Sequence, residues 1–310
     1  MRVFITGASG LLGRATIRQM RMRGHDVAGL VRDQDRARLV LELGATPVVA
    51  DIFDREEMRR AVEGCDVVMH LATAIPKKAR PQRADWLPND RLRREGTQNL
   101  IEAARGNKLQ AFILQSVAFV YGDRRGEWIT EDESPRPDVT TRSAVDAETM
   151  VLAAYDDFGL PGVILRGATF YSAEAWHTRA LVDALKKRMS PIIGNGEQYW
   201  HYIYVQDMAS ACVRAAETPA PGEVFFVADD WPFHSRDLLY FLAAQLRAEA
   251  PFHMSVMLAS LLAGPTAEYL SRSVRYRTDK IKKMLGWTPR YPTYREGFAE
   301  ILPALGVHPK

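Results

Sequence analysis

The sequence predicts an α/β protein, a doubly wound parallel sheet followed by a smaller C-terminal lobe, and three observations carry that expectation. An apolar run, Val3-Phe4-Ile5, enters a glycine-spaced turn and then a helical pattern from Ala15 to Met22. Further apolar runs follow at strand–helix–strand spacing: Val27 to Val31, Val48-Val49-Ala50-Asp51 and Val67-Val68-Met69-His70-Leu71. Strands covered on both faces read as such near-continuous runs. Finally, 310 residues at 47% hydrophobic and 25% charged are enough for one large core and an attached lobe.

The first turn, Thr6-Gly7-Ala8-Ser9-Gly10-Leu11-Leu12-Gly13, gives the first functional reading. Glycines at 7, 10 and 13 permit a tight turn, close approach of backbone to a pyrophosphate, and close helix-to-strand packing. The helix that follows offers unpaired N–H groups to the anion. This is a Rossmann-type dinucleotide site, with Gly7, Ser9, Gly10, Leu11, Leu12 and Gly13 as its expected cradle. The end of the second strand chooses the cofactor, because an acidic side chain there bonds a ribose 2'-hydroxyl whereas arginine accommodates a 2'-phosphate. The chain has Val31-Arg32, with Arg14 directly after the last glycine and Arg36 one turn beyond Arg32. Convergence of these guanidinium groups on a phosphate predicts NADP(H) over NAD. The alternative is that Arg32, Arg36 and Arg38 form an ordinary solvated helix face.

Later elements follow in order. Gly96 to Ala104 has helical periodicity, Phe112-Ile113-Leu114-Gln115-Ser116 reads as a buried strand, and Val224-Phe225-Phe226-Val227 as another. Ser235 is placed to N-cap the helix that begins Ser235-Arg236-Asp237. Residues 251 to 273 read as an insertion whose Val256, Leu258, Leu261 and Leu262 cover either the pocket or an oligomer interface. A net charge of +3 is slight, and the basic stretch from Lys77 to Arg94, without aromatic interleaving, reads as a solvated face and predicts no nucleic-acid partner. Cys65 and Cys212 lie in apolar surroundings and read as core residues, not as a disulfide or metal site. No apolar run approaches the roughly 20 residues that span a bilayer, and strand one starts at residue 3 with no room for a cleaved signal. A cytoplasmic protein with no membrane partner is expected, with a small molecule as its partner and a homodimer left open.

These segments together resemble the extended branch of the short-chain dehydrogenase/reductase superfamily, which includes sugar-nucleotide epimerases and dehydratases. The residues that carry the resemblance are Thr6 to Gly13, Asp51-Ile52, Leu71-Ala72, Gly96-Thr97, Val120-Tyr121-Gly122, Ile164-Leu165-Arg166, Tyr204 to Ala209 and Leu285 to Pro289. The resemblance implies a Rossmann domain over 1–165 and a substrate lobe over 166–310, with some segments returning to the sheet. It also implies that Asp51 and Ile52 flank the adenine, with Leu71 and Ala72 along the cofactor.

The family's chemistry uses a tyrosine to exchange a proton with the substrate oxygen, its pKa lowered by a neighbouring lysine. Family spacing places the tyrosine at Thr140, the lysine at Ala144 and the accompanying serine or threonine at Val117. A threonine hydroxyl is far too weak an acid to replace a phenol. A second departure concerns substrate: the arginine that grips a diphosphate in sugar-nucleotide enzymes of this branch falls at Trp200, within Gln198-Tyr199-Trp200-His201-Tyr202. Indole removes the cation and offers an aromatic wall, which favours an apolar or aromatic small molecule; packing of the lobe is the alternative role.

Candidates for acid–base work are Tyr121, His177, His201 and Tyr202, with Tyr171, Glu174 and Asp207 in the same segments. His201 and Tyr202 are adjacent in an expected strand, so they face opposite ways. Asp207 reads as a helix cap. The sequence therefore favours an NADP(H)-binding enzyme of atypical mechanism acting on a small, rather apolar molecule, by hydride transfer with substitute groups or by redox-neutral isomerisation, cyclisation or elimination. The alternative is a non-catalytic dinucleotide-sensing or scaffold protein.

Overall fold

Seven strands form one parallel sheet in the computed structural model, which describes residues 1–78, 80–263 and 265–307. They are β1 (Arg2–Thr6), β2 (Asp26–Val31), β3 (Thr46–Val49), β4 (Val67–His70), β5 (Ala111–Val117), β6 (Gly162–Gly167) and β7 (Glu223–Val227). The spatial order is β7-β6-β5-β4-β1-β2-β3, with every neighbouring pair parallel. The winding reverses between β1 and β4. In such sheets the crevice for a ligand lies at that reversal, outside the C-terminal strand ends.

Six helices alternate with these strands up to β6: α1 (Leu11–Met22), α2 (Gln34–Glu42), α3 (Arg55–Val62), α4 (Arg83–Arg91), α5 (Thr97–Ala104) and α6 (Arg142–Phe158). Seven more follow: α7 (Trp176–Lys186), α8 (Val205–Glu217), α9 (Ser235–Leu246), α10 (Val256–Ala263), α11 (Pro265–Ser271), α12 (Asp279–Leu285) and α13 (Tyr294–Ile301).

The period of two along the strands sorts the core into two layers. Val3, Ile5, Val67, Met69 and Ile113 pack with Leu12, Ile17 and Met20 of α1 and with Met208 and Cys212 of α8. Phe4, Val68, Phe112 and Leu114 face the other way, onto Met58 of α3, Leu100 of α5 and Val151 of α6. Each large apolar side chain so buried contributes about 1.5–3 kcal/mol. A third cluster builds the C-terminal part from Tyr171, Leu185, Ile192, Phe233, Leu242, Tyr294 and Phe298. There Tyr171 stacks on Phe298 at 4.9 Å between ring centroids. A side chain at Gly297 would collide with the Tyr171 ring.

Several sequence expectations need correction. Ser235 does not cap α9; His234 is the cap residue and the Ser235 hydroxyl donates to the Gly196 carbonyl at 3.2 Å. Asp207 is not a cap either. It lies inside the first turn of α8, and its carboxylate accepts from the backbone N–H groups of Arg290 (2.9 Å) and Tyr291 (3.0 Å), tying the C-terminal segment to α8. In the 251–273 segment, Val256, Leu258, Leu261 and Leu262 of α10 all stand exposed. Cys65 and Cys212 are buried and unpaired, and burial pushes the Cys212 thiol up to about 12. Among the described residues no helix is long and apolar enough to cross a membrane.

Candidate active site

The glycine turn after β1 is shaped by backbone contacts that leave no room for side chains. Gly7 adopts φ +70°, and a Cβ there would stand 2.8 Å from the backbone of Ala72 at the end of β4. Gly10 N–H donates to the Gly7 carbonyl at 2.8 Å. A Cβ on Gly13 would strike that same carbonyl and come within 2.9 Å of Ala8 Cα. Helix α1 begins at Gly10 with no side-chain cap and no acidic residue in its first turn, so its leading N–H groups remain available to an anion. Thr6 Oγ1 meets His70 Nδ1 at 2.7 Å and accepts from Ala72 N–H at 3.3 Å, locking β1 to β4 where the winding reverses. The chain thus provides a cradle fitted to a phosphate chain, with Ser9, Leu11 and Leu12 on its turn and Leu71-Ala72 as its facing wall.

Other expected cofactor residues also lie at C-terminal strand ends. Asp51 and Ile52 follow β3: the Asp51 side chain accepts from Phe53 N–H at 3.0 Å, while the buried Ile52 carbonyl takes Asn99 Nδ2 at 3.0 Å. The three arginines do not converge as the sequence suggested. Arg14 pairs with Glu174, and Arg36 pairs with Asp33. Asp33 also caps α2 by accepting from Arg36 N–H at 2.9 Å, and this backbone bond, with the nearby guanidinium, lowers its carboxyl pKa. Arg32 is exposed and, among the described residues, makes no ion pair. The acidic neighbour Asp33, one residue past Arg32, escaped the sequence reading.

At the positions where the resemblance puts catalytic groups, Val117 and Ala144 are buried apolar residues. The Thr140 hydroxyl donates to Asp138 Oδ1 at 2.7 Å, and Thr141 to the same oxygen at 3.0 Å. Burial opposes ionisation of Asp138, but hydrogen bonds from Thr140 and Arg272 outweigh it and hold the carboxyl at about 2.

Beside this gap lies a buried ionic cluster. Glu148 on α6 receives Arg166 at 3.0 Å (Nε) and 2.6 Å (Nη2) and the Ser116 hydroxyl at 2.5 Å; Arg166 also donates to the Tyr121 hydroxyl. Burial raises the Tyr121 pKa, and the Arg166 charge offsets only part of that rise. Tyr121 is therefore a phenol held protonated and tethered. The same bidentate pairing holds Arg166 in place.

The remaining candidates are spread out. His177, half-buried at the start of α7, contacts the Phe170 carbonyl through Nε2 at 2.6 Å. His201 is buried, with Nε2 on the Asp229 carbonyl at 2.6 Å and Nδ1 accepting from Tyr276 N–H at 3.2 Å. Burial pulls its pKa down to about 4. With both nitrogens engaged by backbone, His201 holds the fold as a neutral ring. Tyr202 faces the other way, stacked on Trp200 with centroids 6.0 Å apart and edge-on to Phe233 at 5.2 Å. Trp200 donates to the Leu270 carbonyl at 3.1 Å.

One residue placed by the sequence on a solvated face is not there. Arg93 lies in a single π-helical turn, Leu92–Gly96, between α4 and α5, and is 7% exposed. The periodicity of the basic stretch gave no sign of this, because a π turn shifts the phase of the helix by one residue.

The model of the NAD dependent epimerase/dehydratase family matches residues 3–228, and the chain belongs to that family. A Streptomyces protein named 3-diazoavenalumate denitrifying reductase is 32% identical over 309 residues, covering 96% of this chain and 99% of that one. A Stigmatella aurantiaca ketoreductase acting, by its name, on a farnesyl dihydroquinoline oxide is 28% identical and covers 96% of this chain and 94% of its own. Among solved structures, the UDP-glucuronic acid 4-epimerase of Bacillus cereus in complex with NAD superposes with a TM-score of 0.81, at 21% identity and 99% of both chains. That last likeness concerns the fold alone.

Proposed function

We propose that this chain is an NADP(H)-dependent reductase whose substrate accepts hydride at carbon without needing a proton from the protein, with an aromatic diazo compound as the substrate class. One observation carries the reading: the turn of Gly7, Gly10 and Gly13 keeps the backbone contacts of a phosphate cradle, while Thr140, Ala144 and Val117 occupy the positions at which the resemblance places the family's proton-handling groups.

A bound nicotinamide dinucleotide would supply hydride at the crevice between β1 and β4. For a ketone, the oxygen that receives negative charge must be protonated, and a phenol–lysine pair serves that end. For a diazo-bearing carbon it need not be. The carbon gains hydrogen with its electron pair, the C–N bond breaks with its pair going to nitrogen, and N2 departs; a diazonium and a dihydronicotinamide give arene, N2 and oxidised nicotinamide with no proton left over. A relative 32% identical over nearly the whole chain is named for such a denitrifying reduction. The protein's part is to position the substrate and to keep water out. Tyr121, His177, His201 and Tyr202 then serve as packing and positioning groups.

Arg32, exposed at the end of β2, supports the 2'-phosphate reading. Asp33 favours a second one, NAD, if its carboxylate turns from Arg36 to a ribose hydroxyl. Replacement of a cation by Trp200 argues against a nucleotide-sugar substrate. The test is turnover of NADPH and NADH against a panel containing 3-diazoavenalumate, the diazonium of 4-aminobenzoate, and aryl ketones, each with an enzyme-free control. The reading expects consumption of NADPH with the diazo compounds alone. Reduction of ketones with no response to diazo compounds would overturn it, and dinucleotide binding with no turnover of any kind would favour a sensor.

A further inference from the structure

The π-helical turn at Leu92–Gly96 turns Arg93 inward, while its neighbours point out: Arg91 pairs with Glu95 at 2.6 Å and Arg94 with Asp146 at 2.7 Å. Among the described residues, Arg93 makes no hydrogen bond and no ion pair within 4.0 Å. Its side chain borders a small cavity, with room for about one water molecule, at the C-terminal ends of β4 and β5. The other walls include His70, Ala72, Gln115, Ser116 and Ala144. Among the described residues, none of these accepts a hydrogen bond from Arg93. His70 is engaged by Thr6, the Gln115 amide donates to the Ser116 carbonyl at 2.5 Å, and the Ser116 hydroxyl is held by Glu148. The charges acting on Arg93 are Asp90, three residues earlier on α4, and Glu148; neither lies within 4.0 Å of it, Asp90 faces Arg94 at 3.9 Å and Glu148 carries Arg166.

A guanidinium withdrawn from water without a partner costs several kcal/mol, and folded proteins rarely leave one so. A ligand at this cavity can supply the close oxygen that Asp90 and Glu148 do not. We propose that Arg93 is the cation of the reaction end, standing in for the lysine missing at Ala144, and that its guanidinium binds an electron-rich oxygen of the ligand held outside β4 and β5. Two sources offer that oxygen: the sugar hydroxyls on the nicotinamide half of the dinucleotide, or an oxyanion on the molecule to be reduced. Burial lowers the Arg93 pKa to about 10, which leaves it charged at neutral pH.

This inference rests on the dinucleotide reading above. The experiment compares wild type with Arg93→Gln, Arg93→Lys and the double variant Arg93→Gln/Ala144→Lys. Binding is measured for NADPH, for 2',5'-ADP, which lacks the nicotinamide half, and for 4-hydroxycinnamate and its methyl ester on the NADP-loaded protein. Loss of a charge-assisted hydrogen bond predicts binding weaker by about 10- to 100-fold in Arg93→Gln. If the dinucleotide supplies the oxygen, NADPH weakens while 2',5'-ADP does not. If the reducible molecule does, NADPH is unaffected and the acid, but not its ester, weakens. In either case Arg93→Lys retains most of the affinity and the double variant regains part of it. The proposal is overturned if Arg93→Gln binds both NADPH and the acid as wild type does. It is also overturned if 2',5'-ADP binding disappears with the rest, which would make Arg93 a residue of the fold. Wild type that binds neither dinucleotide fails the underlying reading first, and this inference with it.

Discussion

Replacing His201 by Gln tests whether this histidine is a buried structural ring or a proton carrier. Nδ1 accepts the Tyr276 N–H, so a proton on Nδ1 would set two N–H groups against each other. Burial holds the pKa at about 4, against an ordinary value of 6.5. The unfolded chain therefore takes up a proton near pH 6.5 that the folded chain refuses until about pH 4. For a histidine whose folded pKa is depressed, stability is fully present above 6.5 and is lost as pH falls toward 4. Linkage over that interval gives about 2 kcal/mol lost between pH 7.5 and pH 5 from this one group. His70, with its pKa also near 4 through burial, adds a similar slope. Urea unfolding of wild type and His201→Gln at the two pH values measures the difference. The variant is expected to lose about 2 kcal/mol less than wild type on acidification, with its dinucleotide affinity unchanged. An identical pH slope in both proteins would refute the buried-neutral assignment.

Three more outcomes are expected. Gly13→Ala pushes a methyl group onto the Gly7 carbonyl, and titration should show dinucleotide affinity falling by about 100-fold or more as the turn opens; wild-type affinity would mean that the cradle is not the binding site. Arg32→Ala should weaken NADPH by about 10-fold or more and NADH little, whereas Asp33→Ala should spare NADPH; the reverse pattern would assign NAD. Glu148→Gln leaves the buried Arg166 guanidinium under-compensated, for a cost of about 3–5 kcal/mol and a fall in Tm of about 5–8 °C for a chain of this size. Glu148→Leu with Arg166→Met should cost less than either change alone, and calorimetry showing simple additivity would contradict that pairing.

The sheet was legible because its strands are covered on both faces, so Val3-Phe4-Ile5 and Val67 to His70 read as unbroken apolar runs. The turn was legible for a local reason: Gly7 and Gly13 sit where any side chain meets backbone. What the sequence hid depends on long-range contacts. Arg14 and Glu174 are 160 residues apart in the chain, and no local pattern predicts that they pair. His201 looked like a catalyst from its neighbours and is fixed by Asp229 and Tyr276, both distant in sequence. Ser235 had the residue type of a cap but starts one position too late to act as one. Arg93 was hidden by the π turn, since a regular helix would have kept it in phase with its solvated neighbours.

The measurement that tests the central claim most directly is a turnover experiment with [4,4-2H2]NADPH and 3-diazoavenalumate in ordinary water, following the gas and the label together. The account predicts one N2 released per NADPH oxidised, with one deuterium on the ring carbon that carried the diazo group. Retention of nitrogen in the product, or a protium from solvent at that carbon, would contradict it.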